Sequence, residues 1–143
     1  HALAINEYRN DFRPTLWDKK PGADVVQVWF AGSHSDVGGS QKPDKAGHLL
    51  SDLALKWILG EASAAGLSFE SHLVSGLKPS AVATHHLSWK GIYKARRKID
   101  REIPKHHRLH ASVKERYDKM KGYRPETLVE YVDRYGWGEL VGG

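Results

Sequence analysis

His34-Ser35-Asp36-Val37-Gly38-Gly39 sets an imidazole and a carboxylate two positions apart on a glycine-rich stretch. An imidazole titrates near neutral pH, so it can take and return a proton during a reaction, and a carboxylate can fix its tautomer. The stretch follows Val25-Val26-Gln27-Val28-Trp29-Phe30-Ala31, whose β-branched and aromatic content is that of a buried strand. Acid–base residues on α/β sheets commonly sit on loops past strand ends, where the sheet is rigid and the loop is free to carry chemistry. The same residues also suit a purely architectural part, with Asp36 closing a turn and His34 a hydrogen-bonded loop residue.

The elements that must hold such a pair follow from periodicity. Ala2-Leu3-Ala4-Ile5 is short and apolar and reads as the end of a strand; Asn10 to Gly22 reads as loop, broken by Pro14 and Pro21-Gly22. Past the glycine-rich segment, Leu50, Leu53, Ala54, Trp57, Ile58 and Ala62 recur at three- and four-residue spacing and predict a helix over Leu50 to Ala65. It should pack through Leu53, Trp57 and Ile58, with Ser51 as cap and Gly66 as terminator. Strand, loop and amphipathic helix in that order make an α/β unit. Farther on, His110 to Tyr117 is helical in pattern, with Val113, Tyr117 and Met120 on one side. Tyr123-Arg124-Pro125 should end that helix, and Thr127 to Tyr135 adds a last short one. The expectation is one domain: a strand–loop–helix part over residues 1–78 and a mostly helical, basic extension over 79–143.

With 143 residues, 40% of them apolar, the chain can bury one core. It opens on His1 and already reads as structure, so it is expected to be a segment of a longer protein whose partner strands lie elsewhere. There is no cysteine, which excludes disulfides and thiolate metal sites. No apolar run reaches the ~18–20 residues a bilayer span needs, and no signal-peptide pattern opens the chain. The net charge of +5 is concentrated in Lys90, Lys94, Arg96, Arg97, Lys98, Arg101, Lys105 and Arg108. That cluster suits phosphate-bearing partners such as anionic headgroups or nucleic acid, with Trp89 and Tyr93 beside it, or is simply a solvated face. The remaining histidines lack the spacing that puts two metal ligands on one helix face, so neither a metal nor another cofactor is expected.

Three phrases carry a family resemblance. They are His1-Ala2-Leu3-Ala4-Ile5-Asn6-Glu7 with Phe12-Arg13-Pro14-Thr15-Leu16-Trp17, then Val28 through Gly39, then Leu50-Ser51-Asp52-Leu53-Ala54-Leu55-Lys56-Trp57. The chain resembles the C-terminal half of the type VI secretion phospholipase-effector family of α/β-hydrolases, most closely over residues 1 to 60. His86-Leu87-Ser88 and His110-Ala111-Ser112-Val113 with Tyr123-Arg124-Pro125 extend the likeness. The resemblance implies the C-terminal, incomplete portion of an α/β-hydrolase-like sheet domain, in a serine esterase or lipase acting on phospholipid or related acyl esters. It also implies an immunity or secretion partner and a cytoplasmic or secreted location. The basic stretch from Lys90 to Arg108 points to an anionic membrane surface more than to nucleic acid, and the alternative function is a non-catalytic basic module that binds anionic lipid or nucleic acid. Two positions depart from the family pattern: Asn6 and Leu87 each stand where aspartate is common.

The family nucleophile sits in a Gly-x-Ser-x-Gly elbow, and no such elbow occurs here; Gly38-Gly39-Ser40 and Gly66-Leu67-Ser68 both lack the closing glycine. The serine is therefore expected upstream, and this chain alone is expected to show no p-nitrophenyl ester turnover sensitive to a serine-directed phosphonate. The hydrolase order of serine, acid, histidine leaves two assignments. In one, His34 is the base and its acid is Asp36 or an upstream carboxylate. In the other, Asp36 is the acid and His86 the base. The first is preferred, with an acid from elsewhere, because residues two apart on a loop rarely orient each other.

Overall fold

The computed structural model describes residues 1–18, 20–89, 91–95 and 97–142. Three short strands, β1 (Ala2–Ala4), β2 (Val28–Phe30) and β3 (Arg108–Leu109), form a parallel sheet in the order β1-β2-β3. Ala2 lies opposite Val28 and Ala4 opposite Phe30, while Val28 lies opposite Arg108 and Trp29 opposite Leu109. The apolar run at 25–31 thus supplies the central strand, but the ladder extends only as far as its short neighbours do.

Strand alternation splits the core in two. Leu3, Ile5, Trp29, Ala31 and Leu109 project to one face and pack with Val113, Tyr123, Leu128 and Tyr131. Ala4, Val28 and Phe30 project to the other and pack with Val37, Ala54 and Trp57. The covering helices are α1 (His34–Gly38), α2 (Ser51–Ala64), α4 (Ala111–Lys119) and α5 (Glu126–Tyr135); α3 (Ser71–Ser75) is a short exposed turn of helix. Helices on both faces are what a parallel sheet requires, since neither face can be left to water. Among the described residues the result is a mixed α/β arrangement of three parallel strands and five α-helices. None of these helices is long and apolar enough to cross a membrane.

α2 spans nearly the predicted range and ends as expected. Gly66 has φ +96°, Leu67 N–H donates to Ala62 O (3.0 Å) and Gly66 N–H to Ser63 O (2.9 Å), the paired bonds that close a helix on a left-handed glycine. Its contact face is narrower than the pattern suggested. Ala54 and Trp57 are buried, but Ile58 is 44% exposed, because one further residue turns the side chain about 100° away from Trp57. Ser51 does not cap: it is the first helical residue, Leu50 precedes it without a side-chain bond, and Asp52 instead accepts from Lys78 N–H at 2.7 Å.

Residues 79–143 do more than extend the first part. They contribute β3 and the helices that close one face of the shared core. α4 stops at Lys119, before Tyr123 is reached, and Pro125 opens α5 as its N-cap. His110 caps α4, its Nδ1 accepting from Ser112 N–H at 3.2 Å. Its ring stacks on Phe30 (4.6 Å between centroids) and is 5% exposed. Burial, with a smaller push from Lys56, lowers its pKa from 6.5 to about 4. The unfolded chain therefore binds this proton first, so the stability His110 contributes is complete above pH 6.5 and is lost as pH falls toward 4. His110→Asn, which keeps a capping side chain and removes the titration, is expected to flatten that part of a denaturation-versus-pH curve; an unchanged slope would refute the assignment.

Candidate functional site

In a parallel sheet the strands end on the same side, and ligands collect at their carboxyl ends. Here the exits of β1 and β2 are laced together. Ile5 N–H donates to Phe30 O (3.0 Å) and Asn6 N–H to Gly32 O (2.9 Å). The Asn6 Oδ1 accepts from Gly32 N–H and from the Tyr123 hydroxyl, both at 2.9 Å. The carbonyl of the Asn6 amide meets both donors.

Gly32 then turns the chain with φ +109°, and a Cβ placed on it would lie 2.5 Å from the Asp36 Cβ. Only glycine accepts both the left-handed backbone and that approach. Gly32→Ala is expected to destabilise the protein by about 3 kcal/mol or more and to displace Asp36. Thermal unfolding measures the first effect, and a wild-type melting temperature would contradict this account.

Asp36 is 2% exposed and accepts four hydrogen bonds. Ser33 N–H (2.9 Å) and Ser33 Oγ–H (2.8 Å) bind its Oδ2 and fasten the start of α1. The other two come from His86, fifty positions away in sequence: its backbone N–H to Oδ2 at 3.1 Å and its Nδ1 to Oδ1 at 2.7 Å. A ring nitrogen that close to a carboxylate carries the proton, which leaves Nε2 as the free base. His86, with 29% of its side chain exposed, lines a cleft of about 390 Å³ together with Ser33, Ser35, Arg9 and Tyr93. Burial lowers the pKa of neighbouring His85; the nearby Asp36 opposes that lowering, while Arg116 and His86 add to it.

His34 takes a different partner. Its Nδ1 lies 2.6 Å from Glu7 Oε2, just past the end of β1. Glu7 is wholly buried and is already paired with Arg9, Nε to Oε1 at 2.9 Å and Nη2 to Oε2 at 3.0 Å. Burial pushes the Glu7 carboxyl up, but the hydrogen bonds from Arg9, His34 and Ser88 outweigh it and hold its pKa at about 2. The His34 ring stacks on Phe12 (4.6 Å), over which the Arg9 guanidinium also sits, and Arg9 Nη2 is 2.9 Å from the His34 Nδ1. His34 borders a separate cleft of about 460 Å³, with the β1 residues and Ile58.

The three residues singled out in the sequence thus fall into two histidine–carboxylate pairs, Asp36–His86 and Glu7–His34. Glu7 and Arg9 were not foreseen; the available signal was a charged pair directly after an apolar strand. Three cations of the basic stretch have partners within the chain. Arg101 is buried and donates to Ala4 O and Phe12 O, Lys98 pairs with Asp100 (3.3 Å), and Arg108 with Glu139 (3.6 Å). Lys90 and Arg96 lie outside the described residues. Among the described residues, no group of three or more histidines and carboxylates is placed to hold a metal ion.

No solved structure matches this chain. The uncharacterized protein YEL023C of Saccharomyces cerevisiae is 44% identical over 69 residues, which are 46% of this chain and 9% of that protein. Residues 1–61, which carry β1, β2, α1 and Glu7, His34 and Asp36, match the family described as T6SS, phospholipase effector Tle1-like, catalytic domain, the family this sequence resembles.

Proposed function

We propose that Asp36 and His86 are the acid and base of a serine esterase acting on acyl esters of the phospholipid type, with the nucleophile on a segment outside these 143 residues. The observation that carries this reading is the 2.7 Å contact between His86 Nδ1 and a buried carboxylate at the carboxyl end of the central parallel strand. The order of acid then histidine agrees with an α/β-hydrolase arrangement, and residues 1–78 and 79–143 then form parts of one such catalytic domain. In the reaction, His86 Nε2 takes the serine proton as the hydroxyl attacks the ester carbonyl. It returns that proton to the departing alcohol, then activates water against the acyl-enzyme. Asp36 keeps the ring turned and steadies the imidazolium.

This moves the base from His34, the residue the sequence favoured. His34 has a carboxylate partner, but Arg9 already neutralises it and places a cation 2.9 Å from the ring nitrogen. An imidazolium there would face a guanidinium, whereas Asp36 has no arginine or lysine bonded to it among the described residues. His34 serves instead to fasten the exits of β1 and β2. The test is labelling of the intact protein with a fluorophosphonate alongside acyl-ester turnover. Label on one serine outside residues 1–143, with turnover blocked in parallel, is the expected result; neither label nor turnover rejects the esterase, and label on a serine of this chain rejects the placement of the nucleophile.

A further inference from the structure

Arg116 is 3% exposed on α4, an expensive place for a guanidinium. Its Nη1 donates to Ala81 O (2.6 Å) and to Ala83 O (2.8 Å). Both alanines are buried, and they stand immediately ahead of His85-His86 in a segment without helix or strand. The Arg116 Cζ lies 5.0 Å from the centre of the Tyr123 ring, and the Tyr123 hydroxyl donates to Asn6 Oδ1. That same oxygen accepts from Gly32, the residue against which Asp36 is packed. Burial lowers the pKa of Arg116, and the proximity of Tyr123 and Asp36 opposes that fall.

We propose that Arg116 and Tyr123 are positioning residues for the Asp36–His86 pair, Arg116 clamping the segment that delivers His86 and Tyr123 the turn that carries Asp36. The inference rests on the reading of that pair as the acid–base unit. Its physical basis is that a segment without ladder hydrogen bonds is held by few backbone bonds of its own, here Ala83 N–H to Ser80 O and His86 N–H to Asp36 Oδ2. The two carbonyls ahead of His85 are held from outside by Arg116. Two carbonyls held by one buried nitrogen remove that freedom. A displacement of about 1 Å at a reacting group costs on the order of 10² in rate.

The intact enzyme, assayed on a p-nitrophenyl acyl ester, tests this with Arg116→Lys, Tyr123→Phe and His86→Ala in parallel. Lysine keeps the charge but is too short to bridge both carbonyls. Arg116→Lys is expected to lower kcat by about 10- to 100-fold with KM within about twofold. It should also move the acid limb of the kcat profile to lower pH, because the imidazolium loses contact with Asp36 while the cation stays. Tyr123→Phe is expected to lower kcat by about 3- to 10-fold, again with KM unchanged. A purely structural part would lower the melting temperature and leave kcat per folded molecule and its pH profile alone, and that result overturns the proposal. If Arg116→Lys fails to fold, Tyr123→Phe decides: a fall in kcat supports the brace and a wild-type kcat overturns it. Full activity in His86→Ala overturns the reading of the pair itself, whereas activity lost there and kept in the other two variants overturns only the brace.

Discussion

His86→Ala in the intact enzyme is expected to lower kcat by roughly 10³- to 10⁴-fold and leave KM nearly unchanged, because the imidazole acts in proton transfer and not in uniform substrate binding. Asp36→Asn should lose about 10⁴ in rate: an amide leaves the ring free to adopt the other tautomer. This carboxylate has a second task. It also binds Ser33 N–H and Oγ–H at the start of α1. Asparagine can still accept there through its carbonyl, so the melting temperature should fall far less than the rate. His34→Ala separates the two histidines. Its side chain is 43% exposed and its carboxylate is held by Arg9, so activity within about tenfold of wild type is expected. Steady-state kinetics on the three variants settles the assignment. Near-normal turnover in His86→Ala, with loss in His34→Ala, would return the base to position 34.

The largest effect on stability is expected at Arg9. Removing its side chain leaves the wholly buried Glu7 carboxylate without its cationic partner, with only His34, Ser88 and the backbone N–H of residue 9 bonded to it. Breaking a buried pair from one side costs about 3–5 kcal/mol. In a domain of this size that is roughly 10 °C in melting temperature. Arg9→Met combined with Glu7→Gln should recover much of the loss, since no charge is then left unpaired. The pH dependence has a fixed sign. The folded pKa of Glu7, about 2, lies below its ordinary 4.5, so its contribution is complete above pH 4.5 and is lost as pH falls toward 2. The double variant should lack that acid limb. An Arg9→Met protein as stable as wild type would show that Glu7 is not held by this pair.

The local patterns were readable because they depend on neighbours in sequence. The run at 25–31 makes the central strand, since its alternate residues Val28 and Phe30 on one side and Trp29 and Ala31 on the other each meet a core. Leu53, Ala54 and Trp57 mark α2, and Gly66 stops it through its left-handed backbone. Asp36 stood out as a carboxylate on a glycine-rich stretch past a strand. Ile58 misled, because an apolar stripe gives the direction of packing but not its width.

Partnership was a different matter. Nothing in the spacing says that His34 bonds to Glu7 and not to Asp36, or that His86 crosses fifty positions to reach that carboxylate. Those pairings are set by sheet register, which places the exits of β1 and β2 side by side, and by Arg116, which draws residues 81–83 against α4. Sequence by itself determined the central strand, α2 and the last two helices, because propensity and periodicity are properties of short stretches. It marked His34–Gly38 as loop where the structure has α1, and showed no sign of β3. Only the tertiary structure decided which acid faces which base. That choice depends on distances between segments remote in sequence, which parallel pairing and buried hydrogen bonds establish together.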